Sequence, residues 1–323
     1  MWRDFSQVVV EMSVAVIDGH VDLIYELGKG GDESTFTSVD SGHVTAEKLK
    51  AGAIKIIVVA LFSPDSFNGP QKAGQYFSGL IQIAENNLDG LKKILSSNDL
   101  TELMASDHET GVLFLVENAD PLLEYDIEEL VKRKIMVVGL THVGENRLGD
   151  GNNVFHPQGL TKEGKELVRL LEENSFAIDV AHLSDPSFND LMDIFKGSII
   201  SSHTGFRFFC SIPRNLEKYQ LEAIFERNGI VGITVNPEML TGEKEADIEE
   251  VFRHIDWVAE KYGPEYVALG SDYCGFTGIC YGLEDISKLK NLAGMMERHG
   301  YPESAVELIM GGNWYRFYNS FLS

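Results

Sequence analysis

The chain has 323 residues, 50 of them acidic and 27 basic, for a formal net charge of −23. A chain this acidic repels phosphate backbones and anionic lipid, so neither a nucleic-acid nor a membrane partner is expected, and an anionic substrate would need a local cation. Hydrophobic residues at 44% and charged residues at 24% mark an ordinary globular protein, long enough to bury a large core without disulfide staples.

In chain order, Met1–Glu11 comes first, with Arg3, Asp4 and Glu11 around a short Val8–Val10 run. It does not read as a signal peptide. Short apolar runs bounded by turn signals then alternate with helix-period stretches. Val14–Asp18 leads into Asp18-Gly19-His20-Val21-Asp22, and Ile54–Phe62 into Ser63. A helix is expected over Ala73–Leu95. Val112–Val116 leads into Glu117-Asn118, and Met136–Leu140 into Thr141-His142. Glu145–Pro157, rich in Asn and Gly, reads as a loop over these ends, with His156 an ordinary member of it. The helix Glu163–Asn174 precedes Phe176–Val180, which continues to His182. The helix Pro186–Phe195 precedes Ser198–Ser202 and His203. The helix Leu216–Arg227, with its stripe of Leu221, Ile224 and Phe225, precedes Ile230–Val235 and Asn236. The helix Ala246–Tyr262 precedes Val267–Gly270 and Ser271-Asp272, and Leu283–His299 and Pro302–Met310 read as closing helices.

The eight runs are continuously apolar rather than alternating, as strands of a helix-covered parallel sheet must be. Eight strand–helix alternations indicate a barrel or an open doubly wound sheet. No Gly-x-Gly-x-x-Gly follows the first run, which removes the usual dinucleotide reading. No linker or repeat divides the chain, so residues 1–323 are expected to form one catalytic domain. Cys210, Cys274 and Cys280 match no zinc motif and read as reduced thiols of a cytoplasmic protein. No apolar run reaches the roughly 18 residues of a spanning helix, and the C-terminal end carries no apolar anchor tail.

Four of the nine histidines follow strand ends, which converge on one face in a barrel. His20 and Asp22, two residues apart, can point the same way and share one ion. A strand-end histidine bonded to a turn aspartate would look the same, so the pair decides nothing alone. Glu117 closes an otherwise apolar strand, where an unpaired carboxylate would be costly. With His182 and His203 the set suits two zinc ions. His20, Asp22 and Glu117 would hold one, and Glu117, His182 and His203 the other, with Glu117 bridging. Two such ions can share a hydroxide of near-neutral pKa and aim it at a carbonyl.

From about Ile17 to Phe317 the chain resembles the membrane (renal) dipeptidase family of metallopeptidases. The likeness rests on Asp18-Gly19-His20-Val21-Asp22, Gly139-Leu140-Thr141-His142, Gly159-Leu160-Thr161 with Gly164, Ile178–Ser184, Ser202-His203-Thr204, Arg214-Asn215, Gly270-Ser271-Asp272 and Gly312-Asn313-Trp314. The interval from His182 to His203, and from His203 to Arg214, also matches. The resemblance implies a (β/α)₈ TIM barrel of the metal-dependent hydrolase type, two zinc ions on His20, Asp22, Glu117, His182 and His203, and hydrolysis of dipeptides. It implies that His142 contacts the scissile carbonyl oxygen, that Asp272 handles a proton, and that Arg214 binds the substrate's terminal carboxylate. Each role is chemically sound: a donor where an oxyanion forms, a carboxylate that can carry a proton to a leaving amine, and a guanidinium that clamps a carboxylate.

Two departures bear on substrate preference. Family members often carry a second acid where this chain has Cys274, and Asn236-Pro237-Glu238-Met239 lacks a tyrosine that some relatives place on the substrate carboxylate. No base partner is evident for Cys274, so it is not read as a nucleophile. The rivals are a metal-dependent amidohydrolase acting on another carboxylate-bearing amide, a lactam or a phosphoester, and a non-enzymatic binding barrel, which the complete ligand set disfavours. The expected partner is a small dipeptide; a homodimer is left open.

Overall fold

The computed structural model describes residues 14–29, 35–106 and 109–322; the Met1–Glu11 segment lies outside them. Eight parallel strands form the centre: β1 Val16–Val21, β2 Ile54–Phe62, β3 Gly111–Glu117, β4 Val137–Gly139, β5 Ala177–Asp179, β6 Ile199–Thr204, β7 Val231–Ile233 and β8 Val267–Leu269. Each pairs with the next, and β8 pairs back onto β1 through Leu269 and Asp18. The sheet is therefore closed, with helices between its strands: a (β/α)₈ TIM barrel, as expected, rather than an open sheet.

The residue pattern explains the closure. On β2, Ile56, Val58 and Ala60 belong to one cluster with Leu113, Leu115, Val137, Ala177 and Ile200 from neighbouring strands. Ile57, Val59 and Leu61 belong to the larger cluster shared with the helices. Alternate residues thus fill the interior and the helix-facing layer, so every position must be apolar. The interior cluster also takes in Trp314, Phe317 and Tyr318 of the C-terminal helix Asn313–Leu322. Trp314 donates its indole N–H to the Leu269 carbonyl (2.7 Å). Its ring fills the space a side chain on Gly19 would need, which is why β1 carries a glycine beside His20.

Several boundaries differ from the sequence reading, for local reasons. β1 begins at Val16 and runs on through His20 to Val21, with all six residues buried. The polar residues Asp18 and His20 hid its true extent. The helix expected over Ala73–Leu95 is Lys72–Asn86; the Asn87-Leu88-Asp89-Gly90 stretch breaks it, with Gly90 at φ 83°. Lys92–Lys93 then adds a short strand beside the start of β3. Leu283–His299 divides into a 3₁₀ turn, Ile286–Lys288, whose first N–H groups Asp285 caps, and the helix Asn291–Arg298. Helices at Leu23–Lys29, Ser97–Ala105, Ile127–Lys132 and Pro237–Thr241 escaped the sequence reading because each is short. No helix of the described residues is long and apolar enough to cross a membrane.

Candidate active site

The strand ends meet at one mouth of the barrel. His20, near the end of β1, places Nε2 3.6 Å from Asp22 Oδ2 and 3.5 Å from Glu117 Oε2. Glu117, the last residue of β3, turns its other oxygen to His182 Nε2 at 2.8 Å and His203 Nε2 at 4.0 Å. The two latter nitrogens are 3.1 Å apart. Glu117 therefore stands between two groups of three, His20–Asp22–Glu117 and Glu117–His182–His203, all buried. The donor atoms of His20, His203 and Asp272 form a third such group. The five ligand candidates read from sequence are brought together.

The fit of this cluster to divalent cations can be judged from its own atoms. His20 Nε2 and Asp22 Oδ1 are buried without a hydrogen-bond partner among the described residues. Burial, followed by the charge of Arg214, holds His182 well below the usual imidazole range; burial and the charge of His20 do the same to His203. Neutral imidazoles present lone pairs, and here two of them converge beside a carboxylate. Burial alone would lower His20, but the charges of Glu117 and Asp22 outweigh it and hold His20 well above its usual value. The cluster thus draws in positive charge, and its imidazole nitrogens and carboxylate oxygens are the donor set of zinc-like ions. The residues fit a metal.

Around the cluster stand the polar helpers. Asp272, just beyond β8, accepts from Asn236 Nδ2 at 2.9 Å. Burial and the charge of Asp22 push its carboxyl well above the ordinary range. Arg214 is half-buried; desolvation lowers its pKa, opposed by the charge of Asp272. Its Nη2 donates to the His203 carbonyl (3.0 Å), while Nη1 is buried without a partner among the described residues. His142 Nδ1 lies 3.4 Å from Asp65 Oδ2, which leaves Nε2 for a ligand. A cavity of about 630 Å³ opens onto Asp22, Glu117, His142, His182, Arg214 and Asp272 together, a volume suited to a small molecule.

Backbone geometry aims two of these side chains. His182 and Asp272 both adopt φ 67°, a conformation that costs a non-glycine residue on the order of 1–3 kcal/mol and gathers at functional sites. The His182 carbonyl takes hydrogen bonds from Asn152 N–H (2.9 Å) and Thr141 Oγ1 (3.3 Å), which secure that turn.

The sequence reading missed Asp65, which orients His142 and also accepts from the Gly144 N–H at 2.9 Å. A carboxylate two residues after Ser63 was the available signal. It noted Asn236 only as a strand end and gave it no partner. The Glu145–Pro157 loop does border the site, since Asn152 and Asn153 line the cavity, and His156 is an exposed loop residue. Cys274 lies beside the site, but burial pushes its thiol far up, in line with no nucleophilic role. All three cysteines are free thiols.

Parallel barrels that gather imidazoles and carboxylates at this mouth are built as metal-dependent hydrolases. Within that class the chain belongs to the membrane dipeptidase family, peptidase family M19, whose profile matches residues 3–321. It is a hydrolase of the metallo-dipeptidase type. Dipeptidase tcpJ of Claviceps purpurea (strain 20.1) is 26% identical over 248 residues, 75% of this chain and 56% of that protein. Among solved structures, the dipeptidase AC, a metallo peptidase of family M19, superposes with a TM-score of 0.84 at 22% identity, covering 96% of this chain and 99% of that one. A metallo peptidase from Rhodobacter sphaeroides, liganded with a phosphinate mimic of the dipeptide L-Ala-D-Ala, gives 0.82 at 21% identity, with 94% and 98% covered. These two likenesses concern the fold.

Proposed function

We propose that the chain is a zinc-dependent dipeptidase that holds two ions, one on His20, Asp22 and Glu117, the other on Glu117, His182 and His203. The observation that carries this reading is Glu117, whose two oxygens face histidines of opposite halves of the cluster. Bound zinc would supply Lewis acidity and a water acidified towards neutrality.

The chain's own groups do the rest. Arg214 is the half-buried cation lining the cavity, and its Nη1, without a partner among the described residues, is placed to clamp a terminal carboxylate. With that end fixed, the peptide lies across the mouth and its scissile carbonyl faces His142. His142 Nε2, with Nδ1 anchored on Asp65, donates to the oxygen on which charge develops. Asp272 takes the proton of the attacking water and passes it to the leaving amine. Asn236 keeps that carboxyl turned to the cavity. Free thiols agree with a cytoplasmic home.

The test is a panel of L,L- and L,D-dipeptides given to chelator-stripped protein with and without added zinc; the Rhodobacter neighbour's ligand is the reason to include a D-residue. Turnover that needs zinc and is lost on N-acetylated, C-amidated analogues is expected. No turnover of any dipeptide, with hydrolysis of a lactam or phosphoester instead, would reject this substrate assignment.

A further inference from the structure

Two histidines from different strands share one hydroxyl. Ser202 Oγ lies 3.0 Å from His20 Nδ1 and 2.9 Å from His203 Nδ1. Ser202 is fully buried. Its N–H donates to Asp179 Oδ1 at 2.9 Å. Asp179 Oδ1 is held in turn by the Ala181 N–H at 3.0 Å. The β8 backbone packs directly on Ser202: a side chain on Gly270 would run into the Ser202 carbonyl.

A serine hydroxyl has one proton to give and two lone pairs to accept with. A proton given to one imidazole would leave that ring protonated on Nε2, the nitrogen that faces Glu117, and so useless as a ligand. A ring that instead gives its Nδ1 proton to the hydroxyl keeps its Nε2 lone pair. The hydroxyl's two lone pairs can serve both Nδ1–H donors at once, and both Nε2 atoms then face the cluster. We infer that Ser202, its backbone held by Asp179, is a positioning residue that fixes the His20 and His203 rings with Nδ1 on its hydroxyl and Nε2 toward the cluster. It thereby prepares both halves of the site, one histidine in each. The inference rests on the metal reading given above. His182 lies outside this arrangement, since its Nδ1 is buried without a partner among the described residues.

The experiment compares the full-length chain with Ser202→Ala and Ser202→Thr, each stripped of metal and titrated with Zn²⁺ against a chromophoric chelator. Outer partners of ligating histidines are generally worth about 10- to 100-fold in metal affinity. Ser202→Ala is expected to weaken both equivalents by roughly that factor, with threonine, which keeps the hydroxyl, restoring most of it. Unchanged affinity in Ser202→Ala, or a loss confined to one equivalent, overturns the inference. Should the alanine variant fail to fold by circular dichroism, the unsubstituted chain decides. With ¹⁵N-labelled histidine, a proton on Nδ1 of both His20 and His203 is expected, and a bare Nδ1 on either ring overturns it. A chain that binds no zinc at all would end the metal reading, while the nitrogen spectra would still answer for the hydroxyl.

Discussion

Asp272 and Arg214 show how much a single side chain's surroundings decide. On a surface, Asp272 would be an ordinary acid; here burial and the facing Asp22 charge push its carboxyl upward. If it carries the proton, Asp272→Asn should lower kcat by about 10²- to 10⁴-fold, the usual worth of general acid–base catalysis, while zinc content by atomic absorption stays at the parental level. Equal kcat in the two proteins would show that the proton travels elsewhere. Arg214 is held by the His203 carbonyl on one nitrogen and has no partner among the described residues on another. Replacing it with Met removes a charge-assisted bond worth about 1.5–3 kcal/mol, so kcat/KM should fall roughly 10- to 100-fold, chiefly through KM. A change in kcat alone would place the substrate carboxylate somewhere else.

At the scale of elements, β1 is the strand on which stability and site depend together. Gly19 abuts the Trp314 indole, one residue from His20. Gly19→Ala overpacks that contact and should cost about 1–3 kcal/mol in urea unfolding; an undiminished midpoint would mean the C-terminal helix yields easily. The helix Ile248–Lys261 carries a further buried histidine, away from the cluster at the barrel mouth. His254 is packed against Phe206 and Phe209, bonds the Glu250 carbonyl (2.8 Å), and is pulled down by burial to a pKa of about 4. An unfolded histidine titrates near 6.5, so on acidification the unfolded chain gains this proton first. Stability should therefore fall as pH drops from about 6.5 to about 4, by about 3 kcal/mol in total from this residue. His254→Gln should flatten that part of the stability–pH curve; parallel curves for the two proteins would exclude His254 as its source.

For the whole molecule, closure of the sheet through the β2–β3 and β8–β1 pairings ties the first and last thirds of the chain to one another. No strand can leave without opening the barrel, so residues 1–323 should unfold as one domain in a single calorimetric transition. Cations that bind only the folded cluster add to its stability by mass action, about 4 kcal/mol when free metal is a thousandfold above its Kd. Chelation should lower the Tm by roughly 5–10 °C. A transition that splits in two, or one indifferent to chelator, would contradict this picture.

The sequence by itself was enough for the barrel's strands and for most of the polar residues gathered at their ends. Strands buried on both faces appear as unbroken apolar runs, so the polar residue that closes each run is conspicuous: Glu117 after Val112–Val116 is the clearest case. Where a polar residue lay inside a strand, as Asp18 and His20 do in β1, the same logic misjudged its bounds. What only the tertiary structure decided is which groups share protons. Ser202 meets His20 across 182 positions of sequence, and Asp65 meets His142 across 77. A hydrogen bond depends on tenths of an ångström and on direction, and those are set when the strands close into a barrel, not by the order of residues along any one of them.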